Sequence, residues 1–272
     1  VGATIGPLIA FAMLQWLKLD MRTVFLIAAI PAALAVIALL WGVREAPRVN
    51  LTDAATSNAE RRTSNAAAAE RRTPDATHRS TPATTTPLGR PFFRYLTVLA
   101  IFTLGNSTDA FLLLRASELG VATPAIPLLW ALLHVVKAGT SVPGGILSDR
   151  VGRVPLIGAG WAVYAAVYLG FGVATTAWHA WALFAAYGVF YGLTEGVEKA
   201  LVADLVPAGA RGRAFGWYNM ALGLAVLPAA LVFGWIWDAR GSLTAFAFGA
   251  AIAGASAVAL PFAVGQRPIS GR

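Results

Sequence analysis

The chain has 272 residues, of which 57% are hydrophobic and only 12% charged, and its mean hydropathy is +0.66. Soluble domains carry about a quarter charged residues, so this composition cannot coat a water-soluble globule and describes a membrane protein. Cysteine is absent, which excludes disulfide frameworks, thiolate metal sites and cysteine nucleophiles.

Taken in chain order, apolar runs and turn residues predict helices over residues 1 to 18 and 22 to 43. Val1 is not an initiator methionine and no basic segment precedes the apolar run, so a cleaved signal peptide is a poor reading and the chain is expected to begin upstream. Residues 44 to 91 then differ in kind. They contain no Phe, Trp, Tyr or Ile, and partly repeat as Ser57 to Thr63 and Ser64 to Thr73, each ending in Glu-Arg-Arg-Thr. Such a segment buries too little apolar area to offset its ordering entropy, and a disordered cytoplasmic linker is expected there.

Six further helices are predicted at 92 to 114, 122 to 147, 154 to 175, 178 to 203, 214 to 237 and 242 to 264, with 265 to 272 as a tail. Each approaches or exceeds the roughly 20 apolar residues that a bilayer span requires. The lack of period-two alternation argues against a transmembrane barrel. The expected fold is therefore an all-α polytopic bundle of eight helices, arranged two plus six.

Most of the 21 basic residues fall in the linker, the tail and alternate loops, with Lys18, Arg22, Arg115 and Arg240 on the opposite side. That asymmetry makes the linker and C-terminus cytoplasmic in a cell inner membrane. The formal net charge of +8 then reflects topology and contact with anionic lipid, with no nucleic-acid partner. Shifting the first helix pair onto the last also aligns Gly2 with Gly223, Pro7 with Pro228, Trp16 with Trp237, Thr23 with Thr244 and Phe25 with Phe246. Two related halves built as parallel repeats would produce this pattern.

Ionisable residues at membrane depth mark pathways or proton relays by default. The 92–114 helix carries Asn106, Ser107 and Asp109, with Arg115 further along. The 122–147 helix places Trp130, His134 and Lys137 on one face, and the 178–203 helix spaces Tyr187, Tyr191 and Glu195 by four beside Gly188, Gly192 and Gly196. The glycines read as a close-packing stripe. Asp109 and Lys137 either form a buried ion pair or serve a substrate or proton. His134 either titrates or donates a structural hydrogen bond. Glu195 is the leading candidate for a proton-coupling carboxylate, its alternative being a pair with Lys199 at i+4. Trp217, Tyr218 and Asn219 would offer aromatic faces and an amide to a ligand, unless Trp217 is an interface anchor. Zinc-helix, nucleophile-elbow and phosphate-loop motifs are missing, so neither an enzyme nor a nucleotide cofactor is expected.

After the 122–147 helix the chain reads Gly144-Gly145-Ile146-Leu147-Ser148-Asp149-Arg150-Val151-Gly152-Arg153. This resembles the G-x-L-a-D-r-x-G-r loop of the major facilitator superfamily, and Gly2 to Pro7, with Gly6 before the proline, resembles the g-x-x-x-G-P element of helix five in its antiporter branches. Ala10 and Phe11 stand where small glycines usually follow. The resemblance implies helices five to twelve of a twelve-helix transporter, with the first four helices of the same polypeptide missing. It further implies alternating access on a small solute, driven by a proton or ion gradient, with export by antiport. Within the loop, Gly145 and Gly152 would allow close approach and a tight reversal, while Asp149, Arg150 and Arg153 would join a charge network with Glu198 and Asp204, unless Arg150 and Arg153 are only positive-inside topology charges. The rival reading is a membrane sensor or truncated remnant that transports nothing.

Overall fold

The computed structural model describes residues 2–42, 87–106 and 108–265. These form nine α-helices and two 3-10 turns, without a strand among the described residues. In chain order the helices are α1 (Gly2–Gln15), α2 (Met21–Gly42), α3 (Arg90–Gly105), α4 (Asp109–Glu118), α5 (Ile126–Val151), α6 (Arg153–Val173), α7 (Ala177–Asp204), α8 (Arg211–Arg240) and α9 (Ser242–Val264). Most of the 44–91 linker, Ser107 and the tail beyond Gly265 lie outside the described residues. The chain divides into two units, one holding α1 and α3 to α9 and the other α2.

Among the described residues, five stretches are long and apolar enough to cross a bilayer: Arg90–Glu118, Thr123–Val151, Arg153–Val173, Ala208–Arg240 and Ser242–Val264. The 28-residue α7 is as long, but carries Glu195, Glu198 and Lys199. In the second unit, the 22 residues of α2 extend about 33 Å at 1.5 Å per residue, matching a hydrocarbon core of about 30 Å. Its Leu26, Ile30, Leu34 and Trp41 are exposed, as suits a helix that is apolar all round.

In the first unit, α6 packs along α9 and α7, α5 along α7, α3 against α8 and α9, and α1 against α5. Two seams are set by glycine. A Cβ on Gly144 would stand 2.7 Å from the Gly192 carbonyl, and one on Gly188 2.7 Å from the Leu133 carbonyl, so α5 and α7 touch backbone to backbone. Gly249 likewise abuts the Gly105 carbonyl at 2.7 Å where α9 crosses α3. The spaces between are filled by rings: Phe102 stacks on Trp161 with centroids 4.3 Å apart, and Tyr164 on Tyr168 at 4.2 Å. Such pairs contribute about 0.5–1.5 kcal/mol each beyond area burial.

Two expectations are corrected. The 92–114 helix is not continuous: α3 ends at Gly105, and α4 restarts at Asp109 with Thr108 as N-cap, its hydroxyl accepting from the Ala110 amide at 3.1 Å. Short polar side chains compete for backbone groups and favour caps over helix interiors, and Asn106 to Asp109 supply a run of them. The helix expected to end at 147 instead runs to Val151, so Asp149 and Arg150 occupy its last turn. The reversal into α6 is made by Gly152, at φ +94°, a conformation that costs other residues a Cβ clash.

Candidate functional site

The break between α3 and α4 is the centre of a polar cluster inside the aromatic core. Asp109, in the first turn of α4, accepts a 2.7 Å hydrogen bond from the Tyr187 hydroxyl on α7. The Tyr191 hydroxyl stands 3.5 Å from its other oxygen and 3.3 Å from the Tyr187 oxygen. Across the break, the Tyr164 hydroxyl of α6 lies 3.2 Å from Asn106 Oδ1 and 3.4 Å from the Gly105 carbonyl. The freed backbone and the carboxylate are thus met by three tyrosines from two helices, the arrangement an interrupted membrane helix needs to stay satisfied.

Lys137, on α5, does not pair with Asp109. Its ammonium bonds Glu195 on α7 and lies 4.9 Å from the centre of the Tyr191 ring. Glu195 also receives Lys199 at 3.0 Å, so it sits between two cations and is partly open to solvent. His134 uses Nδ1 on the Trp130 carbonyl of its own helix at 2.9 Å, with the two rings 5.3 Å apart. His134 and Lys137 both remain within electrostatic reach of Asp109.

Lys137 also lines a cavity of about 390 Å³ between α5 and α7, together with Gly145, Asp149, Arg153, Glu195 and Lys199 among others. Arg153 Nε is 2.5 Å from Asp204, joining the start of α6 to the end of α7. Arg150 is exposed. Gly145 meets nothing within 4 Å, and the close approach expected of it belongs to Gly144. Nor does Glu198 join the loop: it is buried, its Oε1 accepting from Trp161 Nε1 at 2.9 Å and its Oε2 from the Tyr218 hydroxyl at 3.3 Å.

The remaining candidates stand apart from the cluster. Trp217 is 41% exposed and meets Phe93 edge-on at 6.0 Å. The Asn219 amide donates to Phe215 O in its own helix at 2.8 Å and is exposed. Gly2 and Gly6 meet nothing within 4 Å, and Pro7 lies inside α1. Tyr164 and Trp161 were missed from sequence, and Tyr218, expected as a ligand contact, bonds Glu198. The signal for Glu198 was present: at about 100° per residue it falls within some 20° of Tyr187 and Tyr191 on α7.

Stacked apolar helices of bilayer length, an internal break satisfied by buried tyrosines and ionisable groups within the spans define a polytopic α-helical membrane protein. Residues 95–271 match the family model described as Major Facilitator Superfamily, and the chain belongs to that superfamily. It is 36% identical over 174 residues to an uncharacterized MFS-type transporter of Methanocaldococcus jannaschii, covering 62% of this chain and 44% of that one. It is 30% identical over 119 residues to the multidrug resistance protein MdtH of Cronobacter sakazakii, 44% of this chain and 30% of that protein. An uncharacterized protein of Mycobacterium bovis is 26% identical over 248 residues, 88% of this chain and 54% of the relative. The chain therefore spans about half or less of the length of these relatives.

Proposed function

We propose that this chain is part of a secondary transporter that moves a small amphipathic solute across the inner membrane by alternating access, exporting it in exchange for protons. Superfamily membership supports transport, and the name of the Cronobacter sakazakii relative supports a drug-like cargo. The linker and C-terminus face the cytoplasm, as the basic residues are distributed. First helices of the same polypeptide supply the other wall of the pathway. The solute meets the Lys137 and Tyr191 side of the cluster, where a cation and aromatic faces stand together.

Asp109 carries the coupled proton. The observation behind this assignment is its setting: both carboxyl oxygens face tyrosine hydroxyls rather than a bonded cation. A group bonded by neutral donors gains and loses a proton without breaking an ion pair, whereas Glu195 is held by Lys137 and Lys199. The first-ranked sequence candidate thereby takes the structural role and Asp109 the coupling one.

Gradient-driven flux and solute exchange in proteoliposomes test this. Asp109→Asn abolishes flux driven by a proton gradient while retaining binding and exchange, and Glu195→Gln keeps measurable coupled flux. Coupled flux that survives in Asp109→Asn sinks the assignment.

A further inference from the structure

Glu198 shares α7 with Tyr187 and Tyr191, yet its carboxyl has its own surroundings, drawn from four helices. The residue is 8% exposed. Trp161 of α6 donates to one oxygen at 2.9 Å and Tyr218 of α8 to the other at 3.3 Å. The indole is held flat against Phe102, with the planes 8° apart, so its N–H has a fixed direction. From α3 comes Tyr95, wholly buried, whose hydroxyl has no hydrogen-bond partner and lies in the field of the same carboxyl. The charged groups acting on Glu198 are Glu195 and Lys199 of its own helix, and these are bonded to each other at 3.0 Å.

An ionised carboxylate presents about four acceptor positions, and away from water it needs a cation or a full set of donors. Here two neutral donors are in place. A carboxylic acid is served by less: the indole donates to its carbonyl oxygen, and its hydroxyl end meets Tyr218.

We propose that Glu198 is a second proton-binding site of the chain, formed with Trp161, Tyr218 and Tyr95, and that the protonated carboxyl ties α8 to α6 and α7. The proposal rests on the proton-coupled reading above but concerns a different carboxyl. On release, the acid O–H bond breaks, the proton passes to water as hydronium, and the electron pair stays on the carboxylate. The charge then draws on a third donor, and the Tyr95 hydroxyl is a buried one still unused.

Infrared pH-difference spectroscopy on the full chain in lipid vesicles tests the site directly. A carboxylic-acid carbonyl band should be present in acid buffer, vanish in alkaline buffer and be missing in Glu198→Gln, which keeps an acceptor oxygen for the indole. Trp161→Phe should shift the frequency of that band, and Tyr95→Phe should move its disappearance to higher pH by removing the reserve donor. A carbonyl difference spectrum identical in Glu198→Gln and the wild type overturns the proposal. Should that variant not fold, Trp161→Phe and Tyr95→Phe spectra identical to the wild type overturn it equally. A band from Asp109 persists in Glu198→Gln and is lost in Asp109→Asn, so the result for Glu198 stands or falls apart from the coupling role of Asp109.

Discussion

Lys137 Nζ sits 4.9 Å from the centre of the Tyr191 ring, while the hydroxyl at the far end of that ring lies 3.5 Å from Asp109. One aromatic side chain therefore stands between a cation and a carboxylate that attract each other but do not touch. A cation over a tyrosine face gains about 0.5–2 kcal/mol, which helps keep Lys137 on the Glu195 side. Tyr191→Leu is expected to let the ammonium reach Asp109. Coupled transport should then fall at least tenfold while the protein remains folded, as measured by proton-driven uptake beside detergent-solubilised yield. Undiminished coupling would show that the ring does not keep the two charges apart.

The Glu195 pairs are weak in energy despite their number. Glu195 is partly exposed, and exposed ion pairs contribute about 0.2–1 kcal/mol each after screening. Thermal unfolding of Glu195→Gln, Lys137→Met and the double variant in mild detergent should give a coupling energy of about 1 kcal/mol or less. A loss of several kcal/mol would mean the pair is sealed from solvent when lipid surrounds it.

Thr108 fixes where α4 begins. Its replacement by Ala removes the cap to the Ala110 amide and should cost about 1 kcal/mol, with Thr108→Ser close to wild type. Because Asp109 is the next residue, the first turn that positions it frays as well. Melting temperature and coupled flux should fall together in Thr108→Ala, and loss of either alone would separate the cap from the site.

The α5–α7 seam predicts a sharp asymmetry among three glycines. Gly192→Ala drives a methyl into Thr140 and Gly188→Ala into the Leu133 carbonyl, whereas Gly196 meets nothing within 4 Å. Overpacking of this kind costs roughly 1–3 kcal/mol. The first two variants should lose yield and thermal stability, and Gly196→Ala should match the wild type. Equal behaviour of all three would mean that α5 and α7 do not touch at these positions.

Because the chain contains no cysteine, single-cysteine variants report topology without background. Arg150→Cys should react with a membrane-impermeant maleimide applied to inside-out vesicles, and Arg240→Cys with the same reagent outside intact cells. The reverse pattern would invert the orientation read from the basic residues.

Sequence carried the membrane character, the helical class and the family through properties that survive averaging: long apolar runs, the glycine and arginine spacing of the Asp149 motif, and the one-sided arginines. Features that depend on a single turn or on packing were lost. The break at 106 to 108 is written as Asn, Ser and Thr, but their modest polarity disappears within a window long enough to find a span. From sequence, Glu195 reads as a coupling carboxylate and Glu198 as a partner of the Asp149 loop. Their roles part because one faces Lys137 on α5 and the other faces Trp161 and Tyr218, 37 residues before it and 20 after. Pro7 and the Gly144-Gly145 pair were legible as motif letters, while which glycine touches a neighbour depends on helix rotation that no motif specifies.

Arg115 gives the short helix α4 a second anchor. Its guanidinium donates to the Phe171 carbonyl at 3.2 Å and the Ala174 carbonyl at 2.9 Å, and pairs with Glu118 at 2.9 Å, so it occupies the open carbonyl end of α6. At its other end α4 is fastened to α7 through Asp109, while α3 is seated on α9 at Gly105 and Gly249. Both pieces of the interrupted span touch α6, through Tyr164 and Arg115, while α3 is also seated on α9 and α4 is also tied to α7. A shift of α9 relative to α7 would therefore load α3 and α4 unequally.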